Sequence, residues 1–571
     1  MTLSQGKLSR RAFLSAGVTA ASGTGAALVF GCGGGGPSAT QAPSASSRLA
    51  AGPRTGGQIT IARLLSAFSL DPHTDETAAD ITELIYSRLY RWDSVSQIAI
   101  FNDLATAVEI PDPDHSQFIV HLRPGVKIHS DPGNPGSGGE ITSNDCKQSF
   151  IRHGTSITAS DKRLSLLVSG TNSPDGGALG AALQTPDPLT FSFKLSRPFV
   201  PAFYQLAKPE WAIIPAKVIE KYGGSFSGPQ ALFGSGPFML DEFRGTERIV
   251  LVRHPEYFLS PRPWLDRIAF EVESSHASQI SGLEAGRYDA IAASIGRDKY
   301  RELKEDARFT ASRTPTLFNP SLHLRIRPPF DDVRVREAID LALDRQKFIV
   351  AIWGGEGNYN GPVAWPLAQW VLPQDELRRL YPNDPARARA LLEEAGYADG
   401  FATQMTIPSA ESSAVFDIRE AASRIVADLS QIGVTVTIDQ VDLGSFVANV
   451  LVPGNFEMAF SPNLPYDEPD RPLAFYTTRG ITGVGNWNNY TNPEIDGLVE
   501  AQAQEFAQQR RRDIIYEAQR LMIKEHGPQI TLPSGYEYHA HLSRVHYPYE
   551  AGEAPSPGAG PWGADIWTEA A

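Results

Sequence analysis

Between Gly57 and residue 535 the chain repeatedly exchanges an apolar period of two for one of 3.6, and that alternation constrains its fold more than any other feature. Segments 58–64, 117–122, 186–195, 247–258 and 266–272 read as strands, and the turn Pro124-Gly125 and loop 131–140 separate some of them. Segment 81–93, ITELIYSRLYRWD, reads as a helix. Val335, Ile339, Ala342 and Leu343 form a helical stripe behind a capping Asp332. Asp384, Pro385 and Gly396 bracket a second helix, and Ile418, Ile425, Leu429 and Ile432 mark a third that ends at Gly433 and leaves as the strand VTVTI. Strands alternating with helices argue for α/β lobes rather than a sandwich or a bundle. A chain of 571 residues exceeds the roughly 250–300 that one core supports, so two or three lobes are expected.

The first 55 residues do not share this pattern. Ser9-Arg10-Arg11-Ala12-Phe13-Leu14 looks like a twin-arginine export motif, followed by a short, glycine-broken apolar run too weak for a spanning helix. Val29-Phe30-Gly31-Cys32 is similar to a bacterial lipobox, although Phe30 stands where a small residue is usual. On this reading residues 1–31 are a cleaved signal peptide and Cys32 is acylated, which anchors the protein to the bilayer. Residues 32–55, rich in Gly, Ser and Pro, form a flexible tether. Cleavage by an ordinary signal peptidase, leaving Cys32 free, is the alternative. Cys146 is then alone in the body and reads as a small buried hydrophobe, not a nucleophile.

Several function classes are disfavoured. Removing Lys7, Arg10 and Arg11 takes the formal charge from −14 to about −17, and no basic stripe tracks phosphates, so nucleic acid is not an expected partner. Arg510, Arg511 and Arg512 read as decoration on a helix face. The chain contains no HExxH, no GxxxxGK[ST], no GxGxxG behind a strand and no GxSxG, and its 12 His lack ligand spacing. Acid pairs such as Asp331/Asp332 and Asp467/Glu468 read as solvated. Accordingly no catalytic residue, metal or cofactor is expected.

Read in order, HLRPGVKIH (121–129), GSGPFMLDEF (234–243), RHPEYF (253–258), LEAGRYDA (283–290), PFDDVRVREAIDLALDR (329–345), DPARARALLEEAGY (384–397) and YTNPEIDGLV (490–499) resemble the extracellular solute-binding proteins of family 5, the dipeptide, oligopeptide and nickel receptors of ABC importers. The resemblance implies an α/β, bilobal periplasmic binding protein-like fold of type II, with mixed sheets and a small inserted domain. Lobe I would hold 56–95, 185–275 and 525–571, the small domain 96–184, and lobe II 276–524. It also implies a monomeric receptor outside the cytoplasmic membrane that encloses a peptide or other small organic solute and docks on an ABC permease. The rival readings are a secreted twin-arginine-dependent enzyme or cofactor protein, and a solute receptor for signalling.

Three segments would lie at the cleft by this resemblance. Thr74, Asp75 and Thr77 follow the first strand, Trp365 and Trp370 offer rings to stack on a solute or to pack the lobe, and Tyr466 and Asp467 lie in the loop NLPYDEPD. The peptide-binding branch carries there an aspartate that pairs with the ligand's ammonium, and Pro465 occupies its place here. Either the ligand lacks that ammonium or a neighbouring acid replaces the aspartate, and Asp467, two residues on and projecting to the same side if the loop is locally extended, is the candidate substitute. Asn486 and Trp487 are further cleft candidates.

Overall fold

The computed structural model describes residues 52–64, 69–74, 78–92, 99–100, 103–131, 137–155, 168, 182–223, 226, 231–409, 415–463, 466, 468–482, 485–547 and 563–569. Cys32, Asp75, Thr77 and Asp467 lie outside them.

Two mixed sheets organise the molecule. The first has seven strands in the spatial order Phe309–Pro315, Tyr536–Leu542, Ala290–Ile291, Gln58–Arg63, Arg267–Val272, Arg248–Arg253, Phe238–Arg244. The second has five, in the order Val434–Val441, Phe401–Pro408, Met458–Ser461, Ser321–Leu324, Gln529–Thr531. A small antiparallel sheet joins Ala105–Glu109, Gln117–Leu122, Thr190–Lys194 and Leu183–Asp187, and it encloses its own core of Phe118, Phe150, Phe191 and Phe193 with Cys146. Cys146 is buried there, and desolvation holds its thiol well above the usual range.

The expected local elements form for the expected reasons. Asp332 accepts from the Arg334 N–H at 2.8 Å and starts helix Val333–Ala342; Asp384 caps Pro385–Glu394 through the Arg387 N–H at 2.9 Å. Gly396 and Gly433 follow their helices at φ 90° and 84°, where a side chain would be strained. Helix Ala79–Ile85 is shorter than segment 81–93 suggests. Its end is fixed from outside, because the Gly236 N–H donates to the Ile85 carbonyl at 2.9 Å, and a Cβ on Gly234 would stand 2.1 Å from the same oxygen.

Sheet membership also departs from the expected division. Strands Ala290–Ile291 and Phe309–Pro315 fall inside the span 276–524 yet hydrogen-bond into the first sheet, whereas Gln529–Thr531 lies beyond 524 and pairs in the second. The small sheet continues past residue 184 to Lys194. These pairings span up to hundreds of residues, so no local pattern encodes them. Arg511 is corrected too: on helix Gln508–Lys524 it is 1 % exposed and ion-paired with buried Glu468, while Arg510 stays at the surface.

Candidate functional site at the crossover between the sheets

The chain passes directly from first-sheet strand Phe309–Pro315 to second-sheet strand Ser321–Leu324 through residues 316–320, and from Gln529–Thr531 to Tyr536–Leu542 through 532–535. The strand directions give these crossovers their importance. Gln58–Arg63 runs parallel to Arg267–Val272 and Ala290–Ile291, and through Tyr536–Leu542 it also runs parallel to Phe309–Pro315, so all four send their C-terminal ends toward the crossovers. In the second sheet Phe401–Pro408, Val434–Val441 and Met458–Ser461 are parallel, and Ser461 pairs with Ser321, so these strands end at the crossovers too. In open α/β sheets, loops beyond the C-terminal strand ends form the binding crevice. The loop after Arg63, which carries Thr74, and the loop after Ser461, which carries Tyr466, both leave from that edge.

The crossovers themselves are tied by polar groups. The Thr316 N–H donates to Gly535 O at 3.0 Å and the Leu532 N–H to Pro320 O at 2.7 Å. Asn360 Nδ2 donates to Leu532 O at 2.8 Å and to Ser534 Oγ at 3.1 Å, while Asn360 Oδ1 accepts from the Trp365 N–H at 2.9 Å. Glu356, just after helix Arg345–Trp353, accepts from first-sheet Arg313 at 2.9 Å and from Arg301 at 3.2 Å.

One face of the first sheet is buried yet polar near this edge. Register and alternation place Ser312 and Thr314 of one strand beside His539 and Glu537 of its neighbour. Glu537 is buried, its Oε1 accepts from Thr316 Oγ1 at 2.7 Å, and desolvation pushes its carboxyl up to about 7. Burial lowers His539 and His541 to about 4, which leaves both neutral at ordinary pH. Ser312 Oγ and Asn319 Oδ1 are buried without a hydrogen-bond partner, a state native proteins mostly avoid unless another group fills it. Sequence reasoning missed these residues. Their signal is hydroxyls at every second position, Thr310, Ser312, Thr314 and Thr316, in a strand otherwise patterned for a core.

The sequence candidates are distributed unevenly. Thr74 is half-buried, its N–H donating to Asp71 O, beside the buried Asp71–Arg152 ion pair. Trp365 lies against a crossover, with Nε1 donating to Ser534 O at 3.0 Å and its ring edge-on to Tyr536 at 5.7 Å. Trp370 is 3 % exposed in the second lobe's core, under the Arg511 guanidinium at 5.0 Å. Tyr466 and Trp487 meet through Phe475, with ring centroids 5.5 and 5.4 Å away, in an aromatic cluster below the loop after Ser461. Asn486 spends both amide donors inside its loop, on Thr477 O at 2.8 Å and Tyr490 O at 2.7 Å. Of the acids around residue 467, Glu468 is taken by Arg511, and Asp470 accepts from Gln502 Nε2 at 2.7 Å. No helix among the described residues is long and apolar enough to cross a membrane.

Comparison with known proteins agrees with this architecture. The profile of the bacterial extracellular solute-binding proteins, family 5 Middle, matches residues 99–486. The glutathione-binding protein GsiB of Escherichia coli K12 is 24 % identical over 479 residues, 81 % of this chain and 86 % of GsiB. Among solved structures, the periplasmic binding protein DppA of Helicobacter pylori in complex with peptide STSA superposes with a TM-score of 0.72 at 21 % identity, covering 90 % of this chain and 99 % of DppA. AgaA of A. tumefaciens R10, in complex with agropinic acid, gives 0.74 at 21 %, covering 90 % and 99 %.

Proposed function

The chain belongs to family 5 of the bacterial extracellular solute-binding proteins, and from that premise we propose that it captures a peptide or similar small organic solute between two lobes and delivers it to an ABC permease. Lobe I is taken as the first sheet with its covering helices and the small sheet, lobe II as the second sheet with residues 321–531. The observation that carries the reading is the shared edge: two sheets with separate cores point their strand ends at one another, and among the described residues the chain passes from strand to strand between them at two short crossovers. Such a joint lets the lobes rotate as bodies. A solute that touches both lobes stabilises only the closed arrangement, so closure reports occupancy. A micromolar solute contributes about 8 kcal/mol in total, part of which offsets desolvation of the cleft.

Trp365, beside the returning crossover, and the Tyr466–Phe475–Trp487 cluster would flank the solute from lobe II, and the loop bearing Thr74, Asp75 and Thr77 from lobe I. Asp467 is retained as a candidate contact. Trp370 and Asn486 act from behind, by packing and by bracing a loop. Export through the twin-arginine route and acylation of Cys32 would station the protein at the outer face of the cytoplasmic membrane. Cys32→Ser is then expected to move it from the membrane fraction to the soluble one.

Protein beginning at residue 33, purified without refolding, tests the main reading by native mass spectrometry and small-angle scattering with and without added dipeptides and glutathione. A bound small mass, and a radius of gyration that falls on addition, are expected. Scattering profiles that never change, together with turnover of a solute, would remove it.

A further inference from the structure

The geometry points to Glu537 as a receptor for a cationic group on the captured solute, a primary ammonium such as a peptide's free amino terminus, an inference that rests on the solute-binding reading. The argument begins with what surrounds the carboxylate. Glu537 lies in the first residues of strand Tyr536–Leu542, two positions past the returning crossover, at the edge toward which both sheets send their strand ends. Its described hydrogen-bond partner is neutral, Thr316 Oγ1 on the outgoing crossover.

No cation answers it among the described residues. On its own strand the side chains sharing its face are His539 and His541, both held neutral by burial. On the adjacent strand they are the hydroxyls Thr310, Ser312 and Thr314. Farther across the sheet, Arg63 shares the face but is engaged by Asp80 through two hydrogen bonds at 2.9 and 3.0 Å. Arg313 alternates to the opposite face and is held by Glu356. A buried carboxylate without a counter-charge is costly, and four other buried acids of this fold have one: Asp71, Asp289, Asp340 and Glu468 are each ion-paired with an arginine.

Unlike those four acids, and unlike Asp145, whose carboxylate accepts two backbone N–H groups, Glu537 has neither a cation nor a backbone donor among the described residues, and it lies at the edge toward which both sheets send their strand ends. An ammonium brought between the lobes would supply three donors. Glu537 accepts one, and Ser312 Oγ, one cross-strand pair farther along the same face, is a buried oxygen without a hydrogen-bond partner. The inference also accounts for Pro465: the ammonium-binding acid would be supplied by lobe I at the crossover instead of by the lobe II loop.

The test titrates wild type and Glu537→Gln by calorimetry with a pool of uncharged-side-chain dipeptides bearing free amino termini and with the same pool N-acetylated. Wild type is expected to prefer the free amines by at least about tenfold, and Glu537→Gln to lose that preference. At pH 6, where a carboxyl of raised affinity for protons is largely neutral, free-amine binding is expected to release close to one proton from wild type, read by comparing buffers of different ionisation enthalpy. That proton count stands on wild type alone, should the variant fold poorly. Equal affinity of the two proteins for the free amines, or equal affinity of wild type for free and acetylated pools, overturns the assignment and leaves solute capture intact. Wild type that binds neither pool overturns the assignment as well, while solute capture itself stands or falls by the scattering experiment.

Discussion

Glu537 shows how one buried side chain can set a pH dependence for the whole domain. Its carboxyl titrates near 4.5 when exposed and at about 7 in the fold. Between those values the folded chain keeps a proton that the unfolded chain has released, so stability falls as pH rises through the window, and above about 7 the full penalty is about 3 kcal/mol. Glu537→Gln, free of solute, should match wild type at pH 4.5 and exceed it by about that amount at pH 8. Urea midpoints at the two pH values check this, and coincident midpoints at pH 8 would mean the carboxyl is not desolvated. Arg511 behaves oppositely, because its charge is compensated. Glu468→Gln should cost about 3 kcal/mol by leaving the guanidinium buried without its anion, whereas Arg511→Met combined with Glu468→Leu should recover most of the loss in thermal melts. Half of that arrangement lies in the helical phase, which reading residues 510–512 as one exposed face overlooked. Arg511 lies in phase with Ile515, Ala518, Gln519 and Met522, which fixes it to the buried stripe, while Arg510 and Arg512 fall out of phase. Its anion is 43 residues away, and nothing in the local pattern announces it.

Elements were readable where their ends are determined by their own residues. The helix Pro385–Glu394 carries an aspartate cap, a proline in its first turn and a glycine after its end, all within a dozen positions, so both boundaries follow from local chemistry. Asp384→Ala should cost about 1 kcal/mol, measured by chemical denaturation, because the Arg387 N–H loses its side-chain acceptor. The helix Ala79–Ile85 is different. Its apolar pattern continues past residue 85, but the glycines of the 234–236 turn approach so closely that the Ile85 carbonyl is claimed by them. Gly234→Ala would drive a methyl into that carbonyl and should destabilise by about 1–3 kcal/mol or more, far above the usual effect of adding one methyl group at a turn. A melting curve indistinguishable from wild type would show that the turn yields. The candidate site follows the same division. Trp365 and the aromatic loop were found from residue type and family pattern, whereas the polar face bearing Ser312 and Glu537 exists only once two strands more than two hundred positions apart pair.

At the scale of the molecule, the contact most exposed to lobe rotation lies away from the crossovers. Helix Pro493–Gln504 buries Ile495 and Val499 in the lobe II core, yet its last turn inserts Ala503 into the core of the small sheet. There the Val200 N–H donates to Ala503 O at 2.7 Å, Phe506 stacks on His115 at 4.4 Å, and Arg197 pairs with Glu500, which Arg479 also contacts at 3.2 Å. The small sheet is continuous in packing with Leu89, Tyr90, Trp211 and Ile213 on the lobe I side. The proposed rotation about residues 316–320 and 532–535 would shear this contact, and if this arrangement is the closed one the contact would act as its latch. Ala503→Glu places a charge in that apolar socket while leaving Ile495 and Val499 in their own core. The solute-free variant should scatter with a larger radius of gyration than wild type. Its apparent affinity should fall in proportion to the lost closed population, about tenfold for each 1.4 kcal/mol of latch energy removed. The lobes should still melt as wild type does to within a few degrees, since neither main sheet is touched. If scattering and affinity both stay unchanged, the small sheet travels with lobe II, and the pivot must be sought where its chain returns to lobe I near Trp211.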